Sequence, residues 1–141
     1  MIYVLDSNIA LKWALPEPDS ARAILLRDRL RQGVVELLAP DFFPLEVAHA
    51  LARAERRGII QPPQGAQLLT DLLAARPQLH PSLPLLPRAF ELASSARIGV
   101  YDCAYVALAE QEQCELVTAD ARLLNALGAT FPFIVDLASI P

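Results

Sequence analysis

The chain has 141 residues, 54 % of them hydrophobic, and a formal net charge of −4. That length supports one domain, residues 1–141, with a real core. The acidic balance (pI near 5.1) argues against a basic electrostatic DNA-binding module, and no run reaches the ~18 apolar residues a membrane helix needs. A strand begins almost at once and leaves no room for a signal peptide, so a cytoplasmic protein is expected. Mean hydropathy is +0.33, high for such a chain, and points to an oligomer or a bound partner. Cys103 and Cys114 fit no metal or disulfide spacing and read as buried reduced thiols. His49 and His80 belong to no motif and read as structural.

In chain order, Tyr3-Val4-Leu5 is a short apolar strand that runs into Asp6. Ser7 or Asn8 can cap the helix that follows, with Ile9, Ala10 and Trp13 as its apolar positions. Pro16 and Pro18 break that helix, and a second runs from Asp19-Ser20 to about Gln32, closed by Gly33. Val34 to Ala39 reads as the second strand. Pro40-Asp41 leads into a third helix, over about residues 42 to 57, that Gly58 ends. A fourth helix opens at Gln61-Pro62-Pro63 and lasts to about Ala75, before a short extended piece at Leu79-His80. Helix five covers about Leu85 to Ala96, and helix six runs from Tyr101-Asp102 to about Gln113. Glu115 to Thr118 is a strand, Asp120 starts a short helix to Leu127, and Phe133-Ile134-Val135 is the last strand. Strands separated by helices imply right-handed crossovers, hence an α/β fold: a three-layer α/β/α sandwich on a central, mostly parallel sheet.

Four acids stand out by position. Asp6 ends the first strand, Glu46 lies in the first turn of helix three, Asp102 starts helix six, and Asp120 follows the strand Glu115–Thr118. In a parallel sheet all four map to one edge, where α/β proteins bind ligands. Singly, Asp102 and Asp120 are good helix caps, Glu46 suits a helix dipole, and Asp6 reads as a turn or capping residue. Capping does not account for their convergence. Gathered carboxylates repel and titrate upward unless a cation compensates. A hard divalent ion, Mg²⁺ or Mn²⁺, suits carboxylate and water ligands better than zinc does. Such a centre is equipped to hydrolyse a phosphodiester.

The ordered pieces VLDSNIALKW, PLEVAHAL, GVYDCAYVALAEQ and LVTADARLL resemble the PIN-domain family, and specifically its VapC-type toxin ribonucleases, across essentially the whole chain. The resemblance implies that Asp6, Glu46, Asp102 and Asp120 are the catalytic and metal-binding quartet. Ser7 or Asn8, and Thr118, fall where the family places polar supports. It further implies a Mg²⁺- or Mn²⁺-dependent endoribonuclease, usually homodimeric, acting on RNA and held inactive by a small antitoxin. PIN domains also serve in RNA processing without an antitoxin. Other classes fit less well. A dehalogenase-like phosphatase wants a second Asp where Asn8 stands, and a receiver domain needs a late Lys, whereas the only Lys is Lys12. A non-catalytic nucleic-acid or protein-binding module would have lost an acid, and none is missing.

Two further readings concern surfaces. Leu68, Leu69, Leu72 and Leu73 on helix four either form core or, with helix three, wall a groove for an antitoxin segment. On helix three, Arg53 and Arg57 lie within ~20° of the Glu46 line and roughly 10 and 16 Å further along. They read either as a phosphate track, with Lys12 adding a contact from the first helix, or as an ordinary solvated helix end.

Overall fold

The amino-terminal apolar run becomes the middle strand of a five-stranded sheet. In the computed structural model, which describes residues 1–141, β1 (Ile2–Leu5) lies between β2 (Glu36–Pro40) and β4 (Glu115–Thr118). β3 (Gln78–His80) and β5 (Ile134–Asp136) close the two edges, giving the order β3-β2-β1-β4-β5, all parallel. Val4, Leu5, Leu116 and Val117 are fully buried because helices cover both faces of a parallel sheet.

The crossovers set the layers. From β1 to β3 the chain steps one way through α1 (Ser7–Ala14), α2 (Ser20–Arg31), α3 (Phe43–Arg56) and α4 (Pro62–Ala74). It then returns to β4 and steps the other way through α5 (Leu86–Ala96), α6 (Val100–Glu112) and α7 (Ala121–Leu127). Right-handed connections place the first four helices on one face and the last three on the other, the sandwich the sequence implies. The strand order reverses between β1 and β4, and that switch point is where α/β sheets open a crevice.

Local details differ from the sequence reading where tertiary pairing intervenes. β2 begins at Glu36 rather than Val34, because its register with β1 starts at Ile2↔Glu36 and Val34 is left exposed. β2 runs one residue past Ala39 to Pro40, which pairs with His80 of β3, and the chain then leads into α3. The leucines of α4 contribute to the core: Leu72 is buried, and Leu68, Leu69 and Leu73 pack against it half-buried, with Leu68 and Leu72 also lining a small cavity beside Trp13. The exposed apolar side chains lie elsewhere, among them Leu45, Ile59, Leu83, Phe90 and Tyr101. α6 is buried from Cys103 to Ala109 on every side, the mark of a central helix rather than an amphipathic one.

The contrast between Leu108, fully buried on α6, and Phe90, 68 % exposed on α5, generates a stability prediction. Leu108→Ala should cost about 2–5 kcal/mol in urea unfolding, and Phe90→Ser should stay within about 0.5 kcal/mol of the parent.

Candidate active site

Asp6 is the only carboxylate in the core, 4 % exposed at the end of β1. It caps α1 itself, accepting from the Asn8 backbone N–H at 3.4 Å, in line with its reading as a capping residue, and neither Ser7 nor Asn8 takes that place. Its other oxygen accepts from the Thr118 hydroxyl at 2.9 Å and from the Asn8 side-chain amide at 3.4 Å. Thr118, fully buried at the end of β4, accepts in turn from the Asp120 N–H at 3.0 Å. Asn8 completes the link, since its side-chain oxygen accepts from the Ala119 N–H at 3.4 Å. One small polar network thus ties the ends of β1 and β4 together across the switch point. Asp120 caps α7 through the Arg122 N–H at 2.9 Å.

The other two acids come from helices on opposite faces of the sheet. Glu46, in the first turn of α3, accepts from the Tyr105 hydroxyl at 2.7 Å. Asp102 is the third residue of α6, whose cap is Gly99, and it makes no capping bond, which removes the bland explanation for this acid. Asp41 and Asp136 also stand on this edge of the sheet, but both are exposed and Asp136 caps a single 3₁₀ turn.

Electrostatics bind the four into one unit. Burial first, and then the charges of Asp102 and Glu46, push Asp6 up to about 7 against the opposing pull of Thr118 and Asn8. Burial likewise raises Glu46, with Asp102 adding to it and the Tyr105 and Ser7 hydroxyls partly offsetting it. Asp102 is raised by burial and by the Asp120 charge, and Arg122 works in the other direction. Burial, with the charges of Asp6 and Glu46 adding to it, holds the Tyr105 phenol well above its usual range, so it remains a neutral donor. None of the protein's ion pairs engages any of the four acids. As the side chains stand, no three of them close on one point as a preformed cage. The donor set is nonetheless of the hard, all-oxygen kind that suits a small divalent cation, and it lacks the His and Cys that zinc prefers.

Of the basic residues singled out in the sequence, Lys12 is engaged elsewhere. Its ammonium donates to the Pro18 carbonyl at 2.8 Å and lies 3.7 Å from Glu17. Arg53 and Arg57 are exposed and enter no ion pair. His49, one turn beyond Glu46, is also exposed and lines a cleft beside the acids with Ser7, Asn8 and Tyr101. The sequence signal for His49 was its spacing of three from Glu46, which puts both on one side of α3. Nothing local announced Tyr105, whose partner Glu46 is 59 residues away.

The direction of the Asp6 shift fixes a pH dependence. This carboxyl binds its proton more tightly in the folded chain than in the unfolded one. Its contribution to stability is therefore fully present below about pH 4 and is lost as pH rises through about 7. In EDTA the protein should lose stability from pH 4 to 8, and Asp6→Asn should flatten that decline. The variant should melt higher than the parent at pH 8, by roughly 5 °C or more, given about 1.4 kcal/mol per pKa unit and about 2–4 °C per kcal/mol. Differential scanning calorimetry across pH checks both.

The PIN-domain family profile matches residues 3–128. Ribonuclease VapC12 of Mycobacterium tuberculosis is 35 % identical over 125 residues, which cover 89 % of this chain and 92 % of that one. Ribonuclease VapC3 of Pyrobaculum aerophilum is 32 % identical over 131 residues, 92 % of this chain and 97 % of that one. Among solved structures, PAE2754 from Pyrobaculum aerophilum aligns with a TM-score of 0.70 at 22 % identity, covering 99 % of this chain and 94 % of that one. VapBC2 from Rickettsia felis, bound to a DNA fragment from its promoter, gives 0.66 at 18 % identity over 96 % and 97 %. Those two likenesses concern the fold, while the family rests on the profile and on the identities over nearly full length. The chain belongs to the PIN-domain family, among relatives named as VapC ribonucleases.

Proposed function

We propose that this protein is a metal-dependent endoribonuclease and the toxin of a VapBC-type toxin–antitoxin pair. The observation that carries the reading is the set of four mutually repelling carboxylates at the switch point, unpaired with any base and built around a buried Asp6. Near-full-length identity to VapC ribonucleases supports the RNA substrate. The fold shared with VapBC2 supports a small antitoxin as partner. No helix is long and apolar enough to cross a membrane. A homodimer belongs to the same reading, with exposed Leu83 and Leu86 at the start of α5 offering apolar surface for it.

Asp6, Glu46, Asp102 and Asp120 would hold the cation, Mg²⁺ or Mn²⁺. Such an ion, when bound, lowers the pKa of water and neutralises charge on the phosphoryl oxygens. The chain's own polar groups set the geometry. Thr118 and Asn8 hold Asp6 in one rotamer, and Tyr105 aims Glu46 by donating to one of its carboxylate oxygens. The opposing faces of the sheet deliver Glu46 from α3 and Asp102 from α6, so the acids would flank a phosphate from both sides. Hydrolysis adds the hydroxyl of water to phosphorus and returns the proton to the departing oxygen. Beyond Glu46, the exposed Arg53 and Arg57 continue along α3 and would receive the neighbouring phosphates.

Purified protein should cleave single-stranded or looped RNA with Mg²⁺ or Mn²⁺, and EDTA should stop it. Asp102→Asn should lower cleavage by at least a hundredfold with the fold intact by circular dichroism; cleavage surviving EDTA would contradict the metal mechanism. Replacing Arg53 and Arg57 with Gln should weaken RNA binding and shallow its salt dependence by about one unit per lost phosphate contact, read from affinity against salt concentration.

A further inference from the structure

Beside the acids lies a cleft of about 570 Å³, a size that takes a small-molecule-sized group. It shares Ser7, Asn8 and Glu46 with the catalytic edge, so it opens directly beside the acids. The opposite walls are apolar and aromatic. Leu45 stands at the lip, 72 % exposed, and Tyr101 is 56 % exposed immediately before Asp102. Phe42 braces Tyr101 from behind, with ring centroids 5.0 Å apart and planes at 89°. That perpendicular contact occupies at most one face of the Tyr101 ring. Phe42 is itself held by Tyr105 at 5.6 Å and 90°, so the exposed ring rests on the same aromatic stack that aims Glu46. Asn8 is spent on Asp6 and Ala119 and the Ser7 hydroxyl is turned to Glu46, while the exposed His49 stands free to meet a ligand.

We infer that this cleft is a nucleobase subsite, in which the base flanking the scissile phosphate stacks on Tyr101 against Leu45 and presents its edge to His49. The inference rests on the nuclease reading and deepens it. A solvent-facing aromatic ring on a rigid support is the usual platform for an unpaired base, and it tolerates any base because each has a π-face. An imidazole adds discrimination, since it offers a donor and an acceptor to the base edge. Joining the cleft to the acids through Glu46 and Ser7 makes an extended single strand the fitting occupant, phosphate at one end and base at the other.

The test compares two single-stranded octamers of equal charge, octaadenylate and an abasic octamer, binding with Mg²⁺ at 4 °C while gels show the strands intact. The parent should bind octaadenylate at least about tenfold more tightly than the abasic strand, a loss typical of removing a stacked base. Tyr101→Ala should reduce that preference to under threefold while leaving abasic affinity unchanged, and Tyr101→Phe should preserve it. Leu45→Ser, at the other lip, gives a second and independent loss. A preference undiminished in both Tyr101→Ala and Leu45→Ser overturns the subsite, and is the result expected if a protein segment fills the cleft instead. Parent protein that cleaves RNA yet shows no preference overturns the subsite alone. Parent protein that neither binds nor cleaves removes the nuclease reading and the subsite together.

Discussion

A carboxylate buried at the end of the central strand, without a basic partner, is the constraint around which this molecule is organised. Asp6 is held by a hydroxyl, an amide and a backbone N–H, each of which stabilises its charge only in part. Removing a charge from water costs several kcal/mol unless it is paired. The shift of Asp6 to about 7 expresses that cost, and the proximity of Asp102 and Glu46 increases it. The fold thus stores an electrostatic demand at one point, and a divalent cation is the economical way to meet it.

The sheet explains why the demand falls there. Strand order reverses between β1 and β4, so the connections leaving those two strands diverge to opposite faces and leave a gap at their carboxyl ends. Asp6 and Asp120 follow those two strands, and Thr118 and Asn8 stitch the gap with hydrogen bonds of 2.9 to 3.5 Å. α3 and α6 then approach from the two faces, each with its acid in the first turn. The burial of α6 on all sides has a purpose in this arrangement. A helix clamped by the core from Cys103 to Ala109 presents Asp102 and Tyr105 with little freedom to drift.

Tyr105 connects two properties of the site. Its hydroxyl orients Glu46 and its ring braces Phe42, which in turn supports Tyr101. The acidic centre and the aromatic cleft therefore share one rigid foundation, and a displacement of Tyr105 would disturb both. Opposite this apparatus, Arg88 joins Glu110 and Glu91 and lies 5.8 Å from the Phe131 ring, tying α5 and α6 to the connection before β5. That cluster sits on a partly solvated surface and serves the packing of the second helical layer.

Much of this was legible in the linear sequence, because it depends on local periodicity. Tyr3-Val4-Leu5 can only be a buried strand, Gly33 and Gly58 adopt the positive φ values of 74° that end α2 and α3, and alternation of strands with helices leads to a parallel sheet. Parallel pairing alone then puts Asp6, Glu46, Asp102 and Asp120 on one edge. What the sequence could not supply was the identity of partners across long separations. Thr118 bonds an acid 112 residues away, and Tyr105 reaches Glu46 across 59. Lys12 is drawn to Glu17 and Pro18, His49 turns toward the cleft instead of the core, and the α4 leucines are taken up by packing. Propensity and periodicity act over a few residues and so can be read along the chain. Hydrogen-bond partnership, burial and the coupling of charges depend on distances that exist only once the sheet has brought its strand ends together.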